Sequence, residues 1–536
     1  MAGNRLFVLL FILTCYVAEA QTNQYFVFFK DKAGTPFSIT QPSAFLSDRC
    51  IGRRQKQNIA ITEEDLPVNA SYVNQVKSSG GITFFTSRWW NGVLVEADAA
   101  ALSSINSLPF VSGAVLVAPG KKMTGGRVSN KRQKKNTTAD ELVNQIQLQQ
   151  IGLDEMHSMG YRGEGIWIAI FDSGFQGVNV SSPFSHLFSE NRIRQTFNFV
   201  SNTQGVYQAD DHGTEVLSVM AAHTDEVYTG GTYKAEYVLY LTEDVRSEYR
   251  VEEYNWTFAA ERADSAGVDV INTSLGYYDF DDTSMNYAKS DLDGKKAVIT
   301  RAARKAIEKG IIVVSSAGNE GGNSWKLVTP PADAEGILAV GSVNSLRSLS
   351  SFSSQGPTTD NRIKPDVVAM GSGTSVIKSS GAIGNISGTS VASPLVASLA
   401  AGVLQAFPSL SAKQVYEAII NSADQAATPD NFMGYGLPHF RAIKNYIESE
   451  QSKEAISIYP NPVTGNSIQI KLRSFTEAPL HITIFDSQGK QTEEYSHQIN
   501  WLNNPLTYDL SKLQAGLYLI RVATGDQVTT LKFVKL

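Results

Sequence analysis

The sequence predicts an α/β protein with a parallel sheet and helices on both faces, preceded by a small α+β unit and followed by an all-β sandwich. Between about residues 140 and 446, apolar runs rich in β-branched residues alternate with helical segments, which is typical of a parallel sheet covered by helices. After residue 454, polar and apolar residues alternate over short stretches separated by turns, which favours a sandwich.

The length and composition indicate a globular chain of several domains. The chain has 536 residues, which exceeds one ordinary domain, and its 42% hydrophobic and 18% charged residues exclude a disordered protein. The net charge of −6, from 46 basic and 52 acidic residues, argues against a nucleic-acid partner. With Cys15 and Cys50 as its two cysteines, neither a disulfide framework nor a cysteine zinc site is expected.

Residues 1–20 have the parts of a secretory signal peptide. A positive residue precedes an apolar run over residues 6–13, and an Ala-x-Ala site indicates cleavage before Gln21. The apolar run is too short to favour a spanning helix, so no transmembrane anchor is expected. A lipoprotein would instead use Cys15, but the threonine before it fits that alternative poorly.

Residues 21–120 form the predicted α+β unit. Its strands are expected near 25–31, 82–87, 92–97 and 113–118, and its helices near 69–78 and 99–107. Residues 121–139 then read as an exposed linker, since they hold few apolar residues. The linker is basic through Lys121, Lys122, Arg127, Lys131, Arg132, Lys134 and Lys135. We expect proteolytic maturation in this linker; the alternative is a tether that stays intact.

Ser390 is the best candidate nucleophile. It lies at the start of an apolar helical segment, where unpaired N–H groups can hold an anion, and Gly388 lets a substrate approach the backbone. The alternative is that Ser387 or Ser390 only caps a buried helix.

A serine nucleophile needs a histidine and usually a carboxylate that orients it. Of seven histidines, His212 alone has a Gly-Thr frame followed by an apolar helical run. Asp172 ends a buried strand, and open α/β sheets place their ligands at the carboxyl ends of strands. Alone, His212 would more often be a capping or core residue, and Asp172 the start of a turn.

Acyl transfer also needs hydrogen-bond donors for the developing oxyanion. Residues 310–321 predict a second buried strand followed by a tight turn that presents the amide of Asn319. By itself this segment would be an ordinary turn.

Four segments in this chain order resemble the subtilisin-like serine proteases, or subtilases. They are Asp172-Ser173-Gly174, His212-Gly213-Thr214, Ala317-Gly318-Asn319 and Gly388-Thr389-Ser390. The order Asp, His, Ser separates this family from other enzymes that share the triad. The resemblance covers about residues 140 to 448, which is the predicted peptidase domain.

The resemblance implies a role for each of these residues. Ser390 would attack the scissile carbonyl, His212 would act as general base and then acid, and Asp172 would hold the tautomer of His212. Asn319 and the Ser390 N–H would bind the oxyanion. One departure is visible, because Glu215 stands where many subtilases have a second histidine.

The resemblance also implies a substrate pocket and an inhibitory propeptide. The expected pocket walls are small or apolar, which favours an uncharged residue before the scissile bond. They are Ser274, Leu275, Gly276, Ser316, Ala317 and Gly318. Residues 21–120 occupy the position where subtilases carry a propeptide that inhibits the enzyme and assists folding; an accessory domain that stays attached is the alternative.

No cofactor is required for this chemistry, but structural calcium is considered. Carboxylates cluster in residues 279–282 and 291–294, and calcium prefers oxygen ligands. The full calcium-loop spacing is absent, so a solvated acidic loop is the alternative.

Residues 454–536 resemble the C-terminal sorting domain of the type IX secretion system. The resemblance rests on residues 458–462, 510–518 and 532–536. It implies a bacterium of the Bacteroidota, interaction with the secretion machinery, and secretion across the outer membrane to the surface or medium. By composition alone this unit could be a carbohydrate-binding or adhesive module.

Together these features predict a secreted serine endopeptidase, made as a precursor, that hydrolyses protein or peptide substrates. One alternative is a non-catalytic adhesion or binding protein on a subtilase scaffold. A second alternative keeps the nucleophile but makes the enzyme an esterase or a peptide ligase.

Overall fold

The computed structural model describes residues 21–120, 143–454, 456–472, 479–497, 505–524 and 527–536. The predicted signal peptide at 1–20 and the predicted linker at 121–139 lie outside the described residues. The chain divides into two compact units, Met1–Phe440 and Arg441–Leu536.

The first unit begins with the predicted α+β segment. Its elements are β1 (Asn23–Phe29), α1 (Asp48–Lys56), α2 (Ala70–Ser78), β2 (Ile82–Ser87), β3 (Gly92–Ala97), α3 (Ala99–Asn106) and β4 (Val111–Pro119). The strands form one antiparallel sheet in the order β2-β3-β1-β4. All six elements predicted here are present, whereas α1 was not predicted.

The rest of the first unit is an α/β domain around a seven-stranded parallel sheet, in the order β13-β12-β11-β10-β5-β9-β6. Its elements are α4 (Gln145–Gln150), α5 (Leu153–Ser158), β5 (Trp167–Asp172), α6 (Ser185–Ser189), β6 (Ile193–Asn198), α7 (His212–Ala221), β7 (His223–Thr224), β8 (Tyr228–Thr229), β9 (Glu236–Leu241), α8 (Val251–Ala266), β10 (Val270–Thr273), α9 (Val298–Glu308), β11 (Ile312–Ser316), β12 (Leu338–Val343), β13 (Val367–Met370), β14 (Thr374–Ile377), β15 (Ile383–Ile386), α10 (Thr389–Ala406) and α11 (Ala412–Asn421). Helix α12 (Phe440–Glu454) begins at the last residue of this unit and leads into the second one.

The central strands are apolar because helices cover both faces of the sheet. In β5, β10 and β11, side chains of both orientations are buried, so these strands read as continuous hydrophobic runs instead of alternating ones. All seven strands of this sheet are parallel, so the segments that follow β5, β10 and β11 emerge at one edge of it. We call this the carboxyl edge of the sheet.

The small antiparallel sheet is also covered on both faces, as the alternation of strand side chains allows. On one face, Val27 and Val93 pack in a cluster with Val76 of α2 and Ile105 of α3. On the other face, Phe26 stacks on Tyr254 of α8, with ring centroids 4.6 Å apart. The α+β segment therefore docks on the peptidase-like domain through its sheet.

Helix α10 lies at the centre of the α/β domain. Among the described residues it is the one helix long and apolar enough to cross a membrane, and 83% of its apolar window is buried inside the protein. It packs against α7 and against strands β10 to β13. The apolar helical segment expected to begin near Ser390 is therefore a buried helix of this domain.

The second unit is the predicted all-β sandwich. Its strands are β16 (Ile456–Tyr459), β17 (Ser467–Leu472), β18 (Leu480–Asp486), β19 (Gln491–His497), β20 (Leu506–Asp509), β21 (Gly516–Thr524) and β22 (Gln527–Lys535). They form antiparallel sheets β16-β17-β20 and β19-β18-β21-β22. Apolar side chains from both sheets, such as Ile468 and Ile484, share one buried core.

Candidate active site

Asp172 is the last residue of β5 and is fully buried at the carboxyl edge. Its Oδ1 accepts hydrogen bonds from the backbone N–H of Ser173 at 2.8 Å and from the Ser173 hydroxyl at 3.2 Å. Its backbone carbonyl accepts the N–H of Thr242 at 3.0 Å. The carboxylate is therefore held in one orientation by its own strand end.

His212 is the first residue of α7, and its Nδ1 lies 2.8 Å from Asp172 Oδ1. This bond places the proton on Nδ1 and leaves Nε2 as the acceptor on the opposite side of the neutral ring. The imidazole is about one-fifth exposed, so a substrate can reach it. Gly213 lets the start of α7 lie close to the end of β5, because a Cβ at position 213 would overlap Gly174 O and lie 2.9 Å from Asp172 Cβ.

Ser390 is the second residue of α10, where backbone N–H groups have no partner within the helix. The position that a Cβ would take on Gly388 lies 3.7 Å from both the N and the Oγ of Ser390, and 3.8 Å from Asn319 Nδ2. The hydroxyl, the backbone N–H and the amide nitrogen therefore converge on one region in front of Gly388.

Asn319 follows β11 by three residues and is oriented by α10. Its Oδ1 accepts the backbone N–H of Thr389 at 2.9 Å and the Thr389 hydroxyl at 3.0 Å. Because a backbone N–H can only donate, this contact assigns the oxygen and turns Nδ2 away from Thr389, toward the region near Ser390.

Both groups of residues lie at the carboxyl edge of the sheet. Asp172 and His212 form a hydrogen-bonded pair, Asn319 and Ser390 converge near Gly388, and helices α7 and α10 pack against each other. The carboxyl edge therefore holds a serine hydroxyl at the start of a helix, an imidazole paired with a buried carboxylate, and two N–H donors near the hydroxyl.

The sequence profile of the subtilase family matches residues 163–436, about half of the chain. Subtilisin from Bacillus pumilus is 31% identical over 300 residues, which cover 55% of this chain and 96% of that protein. The chain belongs to the subtilase family. Subtilisin E from Bacillus subtilis (strain 168) is also 31% identical, over 55% of this chain and 70% of that protein. The predicted class, a serine endopeptidase that hydrolyses peptide bonds, is thereby confirmed.

Two further comparisons describe the flanking segments of this subtilase. A profile described as Peptidase S8 propeptide domain, Bacteroidota, matches residues 24–139, and one described as Secretion system C-terminal sorting domain matches residues 457–536. The subtilase therefore carries a propeptide domain and a sorting domain that indicates secretion to the cell surface or the extracellular space. A solved structure, described as the MycP3 protease from the type VII (ESX-3) secretion system, has a TM-score of 0.47 and 22% identity, covering 58% of this chain and 90% of that one.

The predicted pocket walls lie beside Ser390 in this subtilase. Ser274 Oγ donates to the backbone carbonyl of Ser390 at 2.8 Å. A Cβ on Gly276 would collide with Thr329 Oγ1, and a Cβ on Gly318 would lie 3.0 Å from the same atom. Thr329 therefore fills the space between the two walls. No local pattern in the sequence marks this residue, which is the first of a Thr-Pro-Pro segment.

The sequence analysis also missed a partly buried carboxyl group near Asp172. Burial raises the pKa of Glu243 to about 8, so this group is largely protonated at neutral pH. The Thr242 hydroxyl donates to Glu243 Oε1 at 3.0 Å, and the Tyr277 hydroxyl donates to the same oxygen. Tyr277 directly follows the Gly276 wall, so Glu243 links that wall to the end of β9.

The acidic residues considered for calcium contact the protein's own N–H groups. Asp282 accepts from Ser284 N at 2.9 Å, Asp293 accepts from Lys295 N at 2.8 Å, and Asp291 pairs with Lys296 at 2.7 Å. Across the described residues, no group of three or more His, Cys, Asp or Glu side chains could hold a metal ion. Structural calcium stays a prediction.

Proposed function

We propose that this subtilase cleaves protein substrates by acyl transfer through Ser390, His212 and Asp172, with Asn319 in the oxyanion hole. The observation that carries the proposal is the 2.8 Å bond from His212 Nδ1 to Asp172 Oδ1. In the neutral imidazole this bond places the proton on Nδ1, so Nε2 is the ring nitrogen that can accept the Ser390 proton.

In the proposed reaction, Ser390 Oγ attacks the scissile carbonyl carbon while His212 Nε2 takes the hydroxyl proton. The oxyanion accepts hydrogen bonds from Asn319 Nδ2 and the Ser390 N–H, whose convergence near Gly388 supports this role. The C–N bond then breaks as His212 returns the proton to the leaving amine. A water molecule, deprotonated by His212, hydrolyses the acyl-enzyme by the same steps.

We further propose that the residue before the scissile bond is small and uncharged. Thr329 occupies space between the walls formed by Gly276 and Gly318, which supports a shallow pocket. A hydroxyl and apolar walls offer no countercharge for a charged side chain.

The propeptide is proposed to inhibit the enzyme until the linker is cut. Its contacts with the peptidase domain support a stable precursor. Glu261 of α8 accepts the backbone N–H of Arg88 at 2.8 Å and that of Trp89 at 3.2 Å. Asp264 pairs with Arg54 at 2.8 Å and with Arg88 at 2.7 Å. Secretion by the type IX route, supported by the sorting domain, completes the proposal.

The test compares residues 21–451 with the same chain carrying Ser390→Ala. We expect the wild type to react with a fluorophosphonate, to digest casein and to show a new N-terminus in the linker, whereas the variant does none of these. Labelling without the new N-terminus would assign maturation to another protease. A folded, propeptide-free wild type that neither labels nor digests casein would contradict the proposal and favour an adhesion scaffold.

A further inference from the structure

A buried ion pair lies one helical turn from His212. Glu215, the fourth residue of α7, is fully buried, and Lys378 Nζ lies 2.8 Å from its Oε1. The Lys378 side chain is three-quarters buried. Removing two charges from water is costly unless they are paired, so such a pair is expected to persist only where both partners are held in place.

The pair joins the helix that carries His212 to the hairpin that leads into Ser390. Lys378 directly follows β14, in the turn that connects β14 to β15. Strand β15 ends at Ile386, and only residues 387–389 separate it from Ser390. A shift of the hairpin relative to α7 would therefore change the position of Ser390 relative to His212.

The Lys378 side chain passes directly over Gly384 of the hairpin. A Cβ on Gly384 would lie 2.7 Å from Lys378 Cε and 3.5 Å from its Cγ. The lysine thus crosses β15 directly over Gly384, and any larger residue at position 384 would displace it from Glu215.

Two further hydrogen bonds join the hairpin to α7. Ser218 Oγ, one turn beyond Glu215 on α7, accepts the Ile377 N–H at 2.9 Å. The Ser379 hydroxyl donates to Asp211 Oδ2 at 3.2 Å, next to His212. The ion pair therefore lies between two hydrogen bonds that hold the hairpin along the first two turns of α7.

We propose that Glu215 and Lys378 are positioning residues, which set the location and the electrostatic environment of His212 relative to Ser390. Neither side chain is assigned a proton transfer or a substrate contact. The inference rests on the proposed function and deepens it, because it assigns a role to the carboxylate that lies one turn from the proposed base.

Several carboxylates lie close to His212 in addition to Glu215. Asp172 binds its Nδ1, Asp210 accepts its backbone N–H at 3.3 Å, and Asp211 precedes it in the chain. Glu215 adds a buried negative charge from the next turn, which alone would stabilise the imidazolium. Lys378 offsets that charge. Removing one partner leaves the other charge uncompensated close to the imidazole.

The first test uses the pH dependence of kcat/KM in the mature enzyme, obtained from the full chain after cleavage in the linker. Lys378→Met should move the acid limb to higher pH by about half a unit, because the Glu215 charge is then unbalanced. Glu215→Gln should move the limb to lower pH by a similar amount, since Lys378 remains. The double variant should return it close to the wild-type position. Gly384→Ala should behave like Lys378→Met.

The second measurement separates positioning from stability. In the single variants kcat should fall about tenfold, with KM changed less than about twofold, because bound substrate is attacked from a displaced serine. Lys234→Met is the matched control, since Lys234 also pairs with a glutamate, Glu164, at 3.7 Å. Lys234 precedes β9 and Glu164 precedes β5, so this pair lies at the opposite edge of the sheet. The control variant should change neither kcat nor the acid limb.

Titration of His212, followed by NMR of ¹³C-labelled histidine Cε1 in the Ser390→Ala background, tests the inference independently of activity. Opposite shifts of the His212 midpoint in Lys378→Met and Glu215→Gln would support it. The inference would be wrong if both midpoints and both acid limbs stayed unchanged while only the melting temperature fell. If the wild type neither labels nor digests casein, the proposed function fails, and the histidine midpoints still decide this inference.

Discussion

At the scale of single residues, Thr329 makes a prediction about specificity. It fills the space between the walls at Gly276 and Gly318, so Thr329→Gly should deepen the pocket. We expect the kcat/KM ratio for peptides with phenylalanine over alanine before the scissile bond to rise about tenfold. Peptide pairs that differ only at this position measure the ratio. An unchanged ratio in a folded variant would show that Thr329 does not limit the pocket.

Glu243 makes a prediction about stability and pH. Burial raises its pKa from 4.5 to about 8, so the folded protein holds a proton that the unfolded chain releases above pH 4.5. The stabilisation that comes from this bound proton is fully present below the pKa of the unfolded chain, 4.5. It is lost as the pH rises through the pKa of the folded protein, about 8. Glu243→Gln cannot lose a proton, so its free energy of unfolding should fall less than that of the wild type between pH 5 and pH 8.

Urea unfolding of Ser390→Ala proteins at several pH values measures this difference. Other buried groups, such as Glu253, whose pKa burial raises to about 7, contribute equally to both chains and cancel. Parallel stability curves for the two chains would refute the assignment of this pH dependence to Glu243.

The same residues show why some functional groups are visible in a sequence and others are not. Asp172, His212, Asn319 and Ser390 each stand near a glycine at the end of a strand or the start of a helix, so local pattern exposes them. Thr329, Glu243 and Lys378 depend on residues that are distant in the chain. Tyr277 lies 34 residues from Glu243, and Glu215 lies 163 residues from Lys378. Such contacts leave no local pattern, and only the fold reveals them.

At the scale of elements, helix α1 likewise has no local pattern in the sequence that predicts it. Its buried residues are Cys50, Arg53 and Arg54, so its buried face is charged and no apolar repeat marks it as a helix. By contrast, the buried strand expected to end at Asp172 and the one expected within residues 310–321 are present as β5 and β11, because their burial is apolar. Hydrophobic periodicity predicts only those elements that bury hydrocarbon.

The contact between α1 and α8 yields a prediction for the precursor. Fully buried Asp264 pairs with Arg53, Arg54 and Arg88 of the propeptide. Asp264→Asn leaves three guanidinium groups facing a neutral amide, and breaking buried pairs of this kind costs about 3 kcal/mol or more. We expect the urea midpoint of the Ser390→Ala precursor to fall accordingly.

The mature domain provides the matched comparison for this prediction. Without the propeptide, Asp264 has lost its three arginine partners, so Asp264→Asn should have little effect on the mature enzyme. Glu190→Gln, which breaks the exposed pair with Arg192, should change the precursor by less than about 1 kcal/mol. An equal loss in precursor and mature enzyme would show that Asp264 stabilises the peptidase domain itself.

At the scale of the whole molecule, the division into two compact units separates catalysis from export. Every residue of the candidate site lies in Met1–Phe440, whereas the sorting domain lies in Arg441–Leu536. A chain that ends at residue 451 should therefore keep the kcat/KM of the full-length enzyme. A loss of more than about tenfold in matched, fluorophosphonate-titrated samples would contradict this separation.

Disruption of the sandwich core should then stop export and spare activity. Phe533 is fully buried and stacks on Tyr518, with ring centroids 5.4 Å apart. Phe533→Asp places a charge in that core, which unfolds the sandwich because a buried unpaired carboxylate costs several kcal/mol. In the native host we expect the variant to accumulate inside the cell, while the enzyme released by lysis and processed in its linker digests casein. Thr530→Gln, a change of an exposed side chain in the same strand and outside residues 532–536, is the control and should be exported normally. Export of Phe533→Asp at the wild-type level would mean that the folded sandwich is not what the secretion machinery recognises.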